Sequence, residues 1–193
     1  MAKLPAVEKV LVEKLSVSGG GRPLKTGLII SSHQSLGAAV AGSGHRVLIL
    51  GSHFKTLWKI AGASGSINST VLIVECLEQA YPIKEGSLDV LICAGNIKFA
   101  KDVKSETAIL KELKKFLKTG GELFLLSPLK QRFLKRVFMK IRQRKPLEPH
   151  ELCQSVMAAG FCSVGQKPVR VHRRGTSILT VGKAVDTSCP DLL

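Results

Sequence analysis

The sequence predicts an α/β domain built on a mostly parallel sheet, and three observations point there. Five short apolar segments, Leu28–Ile30, Val47–Leu50, Val71–Val74, Val90–Cys93 and Leu123–Leu126, are dense in Val, Ile and Leu and lack period-2 alternation. Strands covered on both faces have this composition, and such strands are mostly parallel. Stretches of helical spacing lie between them at Gln34–Ala41, Phe54–Ala61 and Asp102–Leu117. Two late extended segments, Ser163–Val171 and Ser177–Val181, flank Arg173-Arg174-Gly175, the pattern of a hairpin. Repeated strand–helix–strand units call for right-handed crossovers and a three-layer sandwich.

Taken in chain order, Val7–Leu15 reads as a short amphipathic helix with Pro5 near its first turn, ending in the flexible break Ser16-Val-Ser-Gly-Gly-Gly21. In the helix before the fifth strand, Ile109, Leu113, Phe116 and Leu117 fall on one face, and Gly120-Gly121 supplies a left-handed exit. Ser127 and Pro128 form an N-cap and first-turn pair for a helix from Leu129 to about Arg142. A further helix starts near Pro149, buries Leu152, Val156 and Ala159, and stops at Gly160. The expected organisation is an N-terminal helix and Gly-rich linker (1–24), an α/β domain (25–185) and a C-terminal tail (186–193).

Composition narrows the function classes. The 193 residues carry 29 Lys plus Arg against 14 Asp plus Glu, a formal charge of +15, with 45% hydrophobic residues. That apolar content is too high for a disordered basic tail. The longest charge-free stretch, Thr26–Gly44, is interrupted by Ser31, Ser32, His33, Gln34 and Gly37, so no transmembrane segment is expected. Cys76, Cys93, Cys153, Cys162 and Cys189 form no CxxC pair, which argues against a disulfide framework or a structural zinc site. The histidines His33, His45, His53, His150 and His172 show no ligand spacing, so no metal is expected. Pro5, Glu8 and Glu13 interrupt any leader-like run, and a cytoplasmic location is the expectation.

The charge is concentrated. Residues 101–193 hold 19 basic and 8 acidic side chains. The helical stretch after the fifth strand brings together Lys130, Arg132, Lys135, Arg136, Lys140, Arg142, Arg144 and Lys145, with no acid from Ser127 to Leu147. Its apolar stripe would pack on the sheet, and its basic face would meet an anionic partner: RNA or DNA phosphate, an anionic membrane surface or an acidic protein. A second basic cluster, Lys167, Arg170, Arg173 and Arg174 around His172, lies on the hairpin.

Between Tyr81 and Phe161 the chain resembles the class I methyltransferase fold, a Rossmann-like sandwich with a C-terminal antiparallel hairpin. Tyr81-Pro-Ile-Lys-Glu-Gly-Ser-Leu-Asp-Val-Leu-Ile resembles that family's loop and fourth strand. The run from Ile109 through Gly120-Gly121 to Leu125 resembles its next helix, Gly-Gly turn and fifth strand, and Met157-Ala-Ala-Gly-Phe161 the approach to its hairpin. The resemblance implies an S-adenosylmethionine site on a Gly-rich loop after the first strand and an acidic residue ending the second. Neither Ser31-Ser-His-Gln-Ser-Leu-Gly37 nor Gly51-Ser-His-Phe-Lys-Thr56 matches GxGxG, and Gly51-Ser52-His53 stands where the acid would be. One branch of the fold with a similarly worn first loop is the anamorsin N-terminal domain family, linked to iron–sulfur assembly. Leu152-Cys153 before the hairpin looks similar to it, without that family's Cys-rich cluster segment.

The expectation is therefore a non-catalytic, anamorsin-like scaffold with no resident cofactor and no catalytic residue, docking an acidic protein through its basic helix. The alternatives are a divergent S-adenosylmethionine-dependent methyltransferase acting on RNA or another anionic substrate, and a basic RNA-binding factor. On the enzyme reading, cofactor contacts would come from Ser31, Gly37, Gly51, His53 and Asn96, in the stretches that follow predicted strands. Asp89, at the opposite end of its strand, reads as structural, and Cys93 as core.

Overall fold

Strand β1 (Lys25–Ile30) is flanked by parallel partners on both sides, β2 (Arg46–Gly51) and β4 (Leu88–Ala94). Around it a computed structural model of the chain, describing residues 6–30, 34–51, 59, 69–73, 83–94, 106–128, 148–171 and 175–185, forms one seven-stranded sheet. Its order is β3-β2-β1-β4-β5-β7-β6, with β3 Ser69–Ile73, β5 Leu117–Pro128, β6 Phe161–Val171 and β7 Gly175–Ala184. Strands β1 to β5 pair in parallel, whereas β7 runs antiparallel to both β5 and β6. All five apolar runs are thus strands, and the late pair is an antiparallel hairpin, as the sequence predicts.

Among the described residues four helices cover the faces: α1 (Val7–Gly19), α2 (Gln34–Ala41), α3 (Glu106–Lys114) and α4 (Pro149–Ala158). On one face Leu11 and Leu15 of α1 and Leu36 and Val40 of α2 pack with Leu28, Ile49, Ile92 and Phe124 of the sheet. On the other, Leu110 and Leu113 of α3 and Leu152 and Val156 of α4 pack with Leu91, Leu123 and Leu125. Neighbouring strand residues such as Leu91 and Ile92 enter opposite cores and are both fully buried. This is why the strands read as continuous apolar runs. Each fully buried leucine contributes about 1.5–3 kcal/mol relative to exposure.

The element ends differ from the sequence reading where the backbone finds partners far along the chain. Helix α1 does not stop at Leu15 but runs to Gly19, and Gly20 caps it at φ 52 with its N–H on the Val17 carbonyl, 3.2 Å away. The last turn is held from outside: Ser18 Oγ donates to Glu122 Oε2 at 2.6 Å. Helix α3 ends at Lys114, short of Leu117, because the Lys115 carbonyl accepts from the Gly86 N–H at 2.8 Å and the Phe116 carbonyl from the Ser87 N–H at 3.0 Å. Gly120 (φ 78) is therefore not a helix cap but lies in an irregularity of β5, between the Leu88–Leu117 and Val90–Glu122 pairs. Ser127 and Pro128 do not open a helix; they extend β5, paired with Ile178 and Ser177. The expected helix over 129–142 lies outside the described residues, as does Phe54–Ala61 except for Lys59. Helix α4 begins at Pro149 as expected, the Glu148 N–H donating to Glu151 Oε2 at 2.8 Å.

The β5 irregularity yields a stability prediction. A Cβ at Gly121 would lie 2.9 Å from the Lys118 carbonyl oxygen and 3.2 Å from that of Asp89, both backbone atoms. Gly121→Ala is expected to cost about 1–3 kcal/mol, the usual range for overpacking, read as a lowered denaturant midpoint at unchanged m.

Candidate functional site

The chain visits β1, β2 and β3 outward on one side, then returns to place β4 against the other side of β1. Connections therefore leave β1 and β4 in opposite directions at their C-terminal ends, the switch point where open α/β sheets bind ligands. The ends are level: Ile30 is in register with Gly51 of β2 and with Ala94 of β4.

The predicted site residues distribute around this edge. Ser31 follows Ile30 directly, and His53 and Asn96 stand two residues beyond Gly51 and Ala94. The three strands that these polar residues follow in sequence are neighbours in the order β2-β1-β4, while the residues themselves lie outside the described ones. Gly51 is the last residue of β2. Gly37 is a buried residue inside α2, so the stretch Ser31–Gly37 is not one loop: residues 31–33 connect β1 to the helix that begins at Gln34. All eight basic residues from Lys130 to Lys145 lie outside the described residues, as do Arg173 and Arg174. Lys167 and Arg170 are exposed on β6. Among the described residues no group of His, Cys, Asp or Glu could hold a metal, and no helix is long and apolar enough to cross a membrane.

At the opposite edge the polar groups are structural. Asp89 Oδ2 accepts from the Lys25 N–H at 2.9 Å, and its Oδ1 from Lys118 Nζ at 2.6 Å. Partial burial works to raise the Asp89 carboxyl pKa, but these hydrogen bonds and the charges of Lys118 and Arg22 outweigh it, holding it below the ordinary value. Asp89 is thus a clamp between the starts of β1, β4 and β5. His45 is buried; its Nδ1 accepts from the Leu24 N–H at 3.3 Å, and its Nε2 has no partner among the described residues. Cys93 is buried in the core, and desolvation pushes its thiol up to about 12, so it is no nucleophile.

Sequence reasoning missed two features. Glu8, in the first turn of α1, accepts from Ser35 Oγ at 2.8 Å, bringing a carboxylate to the start of α2. A groove of about 530 Å³ at the lower edge gathers Lys111, Lys114, Lys115 and Lys118. The lysine spacing was visible in the sequence, but the walls from α4 and β7 were not.

No family model and no curated protein matches the sequence. Solved structures do. The CurJ carbon methyltransferase matches with TM-score 0.69 at 14% identity over 93% of this chain, which spans only 53% of that protein. The Burkholderia thailandensis 1,6-didemethyltoxoflavin-N1-methyltransferase, solved with S-adenosylhomocysteine, gives 0.63 at 16% identity over 93% of this chain and 78% of that one. The 16S rRNA (adenine(1408)-N(1))-methyltransferase of Catenulisporales acidiphilia gives 0.59 at 16% identity, covering 92% and 93%. The chain therefore has the class I S-adenosylmethionine-dependent methyltransferase fold.

The described residues meet that cofactor's needs in part. The switch point and the level strand ends fit it. The ribose anchor that the fold family places at the end of the second strand does not, since Gly51 has no side chain to accept from hydroxyls.

The Asp89 clamp makes a pH prediction. Because its folded pKa is lowered, the stabilisation is present above the unfolded value, about 3.9, and is lost as pH falls through and below that value. Asp89→Asn is expected to lower stability by about 1–2 kcal/mol at pH 7. The deficit should shrink between pH 5 and 3 in urea titrations, and a deficit constant with pH would contradict the assignment.

Proposed function

We propose that this chain is a divergent S-adenosylmethionine-dependent methyltransferase acting on an anionic substrate, with RNA the class its charge favours. The observation that carries this reading is the complete strand order, reversed β7 included, with Ser31, His53 and Asn96 next to three adjacent strand ends at the switch point. The cofactor, when bound, supplies an electrophilic methyl group. Ser31, His53 and Asn96 would hold it through hydroxyl, imidazole and carboxamide hydrogen bonds. Lys130, Arg132, Lys135, Arg136, Lys140, Arg142, Arg144 and Lys145 would contact substrate phosphates. A 16S rRNA methyltransferase shares the fold over nearly its whole length, which is consistent with an RNA substrate.

A second reading has a specific observation in its favour. Gly51 ends β2, and residues 31–33 contain no glycine, so both cofactor signatures of the fold family are missing. On that reading the chain is a non-catalytic, anamorsin-like scaffold that docks an acidic protein on the same basic residues, without a cluster-binding segment.

Titration calorimetry decides between them. The methyltransferase reading expects S-adenosylmethionine to bind one-to-one and Asn96→Ala to weaken it at least tenfold. Absence of heat up to millimolar cofactor would leave the scaffold. For the substrate, RNA affinity should fall steeply with salt, and replacing Lys135, Arg136, Lys140 and Arg142 by Ala should reduce the log–log slope by about 3. A slope unchanged by the fourfold variant would remove RNA phosphate from these residues.

A further inference from the structure

The groove at the N-terminal edge of the sheet lies opposite the switch-point crevice and is independent of the reading above. It opens where the end of α3 and the start of β5 face the end of α4 and the end of β7. Its apolar surface comes from Leu117, Ala158, Ala159, Ala184 and Val185, and its volume is about 530 Å³. Val185 is its most exposed large apolar side chain, at 37% exposure.

The rim is cationic. Lys115 is paired to Glu112 at 3.0 Å and Lys118 to Asp89 at 2.6 Å. Lys111 and Lys114, one turn of helix apart on α3, have no carboxylate partner among the described residues. The described lining contains four lysines and no acid. Among the described residues two charges therefore remain unpaired beside an aliphatic lining in which Leu117, Ala159 and Ala184 are largely buried and Ala158 and Val185 are exposed.

This combination selects among anionic partners. The described lining has no aromatic side chain, so nucleic-acid bases find no stacking platform. Aliphatic side chains flanked by carboxylates match both halves of the groove, its floor by burial and its rim by charge. The geometry points to a protein-docking groove for an extended acidic peptide segment carrying leucine-like side chains, with Lys111 and Lys114 receiving its carboxylates. Docking at this edge leaves the switch-point crevice free.

The test uses the full chain and a fluorescein-labelled, end-blocked eight-residue peptide of alternating aspartate and leucine, followed by fluorescence anisotropy. Saturable binding is expected, weakened at least tenfold in K111E/K114E. The variant K9E/K14E removes the same charge from exposed positions of α1 and should change Kd less than twofold. Ala158→Trp fills the groove from an exposed position without altering charge, and should also abolish binding. Equal loss in K9E/K14E, unchanged binding in Ala158→Trp, or equal affinity for the aspartate–serine counterpart would each overturn the proposal, because general charge attraction would then suffice. Single-stranded RNA of the same charge displacing the peptide at equal affinity would overturn it as well.

Discussion

The rest of the structure depends on β1 being held between two parallel neighbours. Its backbone is paired to β2 and β4, and one of its faces is covered by helices, with Leu28 fully buried beneath α1 and α2. A parallel strand cannot be joined to its neighbour by a tight turn. Pairing β1 on both sides therefore forces crossover helices, and two runs of crossovers in opposite senses force the split at its C-terminal end. The Asp89 carboxylate secures the other end, joining the Lys25 backbone of β1 to the Lys118 ammonium of β5. Position and chemistry are thus divided: one edge of the sheet is locked, and the other is where the chain opens.

That division orders the polar residues. Groups at the locked edge, Asp89, His45 and Glu122, are each committed to contacts that hold elements together. In sequence, Ser31, His53 and Asn96 follow the ends of β1, β2 and β4 and lie outside the described residues. The lysine groove is an exception at the locked edge, because only two of its four cations are paired among the described residues. The groove lysines and the basic run Lys130–Lys145 are separate in sequence.

Much of the fold was legible. Gln34–Ala41 was read with its observed bounds, and every apolar run was a strand, because burial on both faces leaves a compositional mark that needs no knowledge of neighbours. The misread boundaries share one cause. Helix α1 runs on through Gly19 because Glu122, more than a hundred residues away, holds Ser18. Helix α3 stops early, and just past its end Gly86 and Ser87 hold the carbonyls of Lys115 and Phe116. Ser127 and Pro128 stay in β5 because β7 is long enough to reach them. Local propensity cannot anticipate a hydrogen-bond partner supplied by a distant segment.

The candidate site was legible as a set of strand-end positions but not as a site. That Ser31, His53 and Asn96 follow neighbouring strands depends on the order β2-β1-β4. That Lys111 and Lys114 face an open aliphatic groove depends on where α4 and β7 end. The sequence by itself determined the layered α/β class, the apolar strands and helices, the local concentration of positive charge and the lack of a metal-ligand pattern, since each is written in residue type and spacing. Only the tertiary structure decided which strand ends meet, which lysines are ion-paired among the described residues and which carboxylate became a clamp. Those outcomes rest on contacts between residues far apart in the chain, and composition and period carry no record of them.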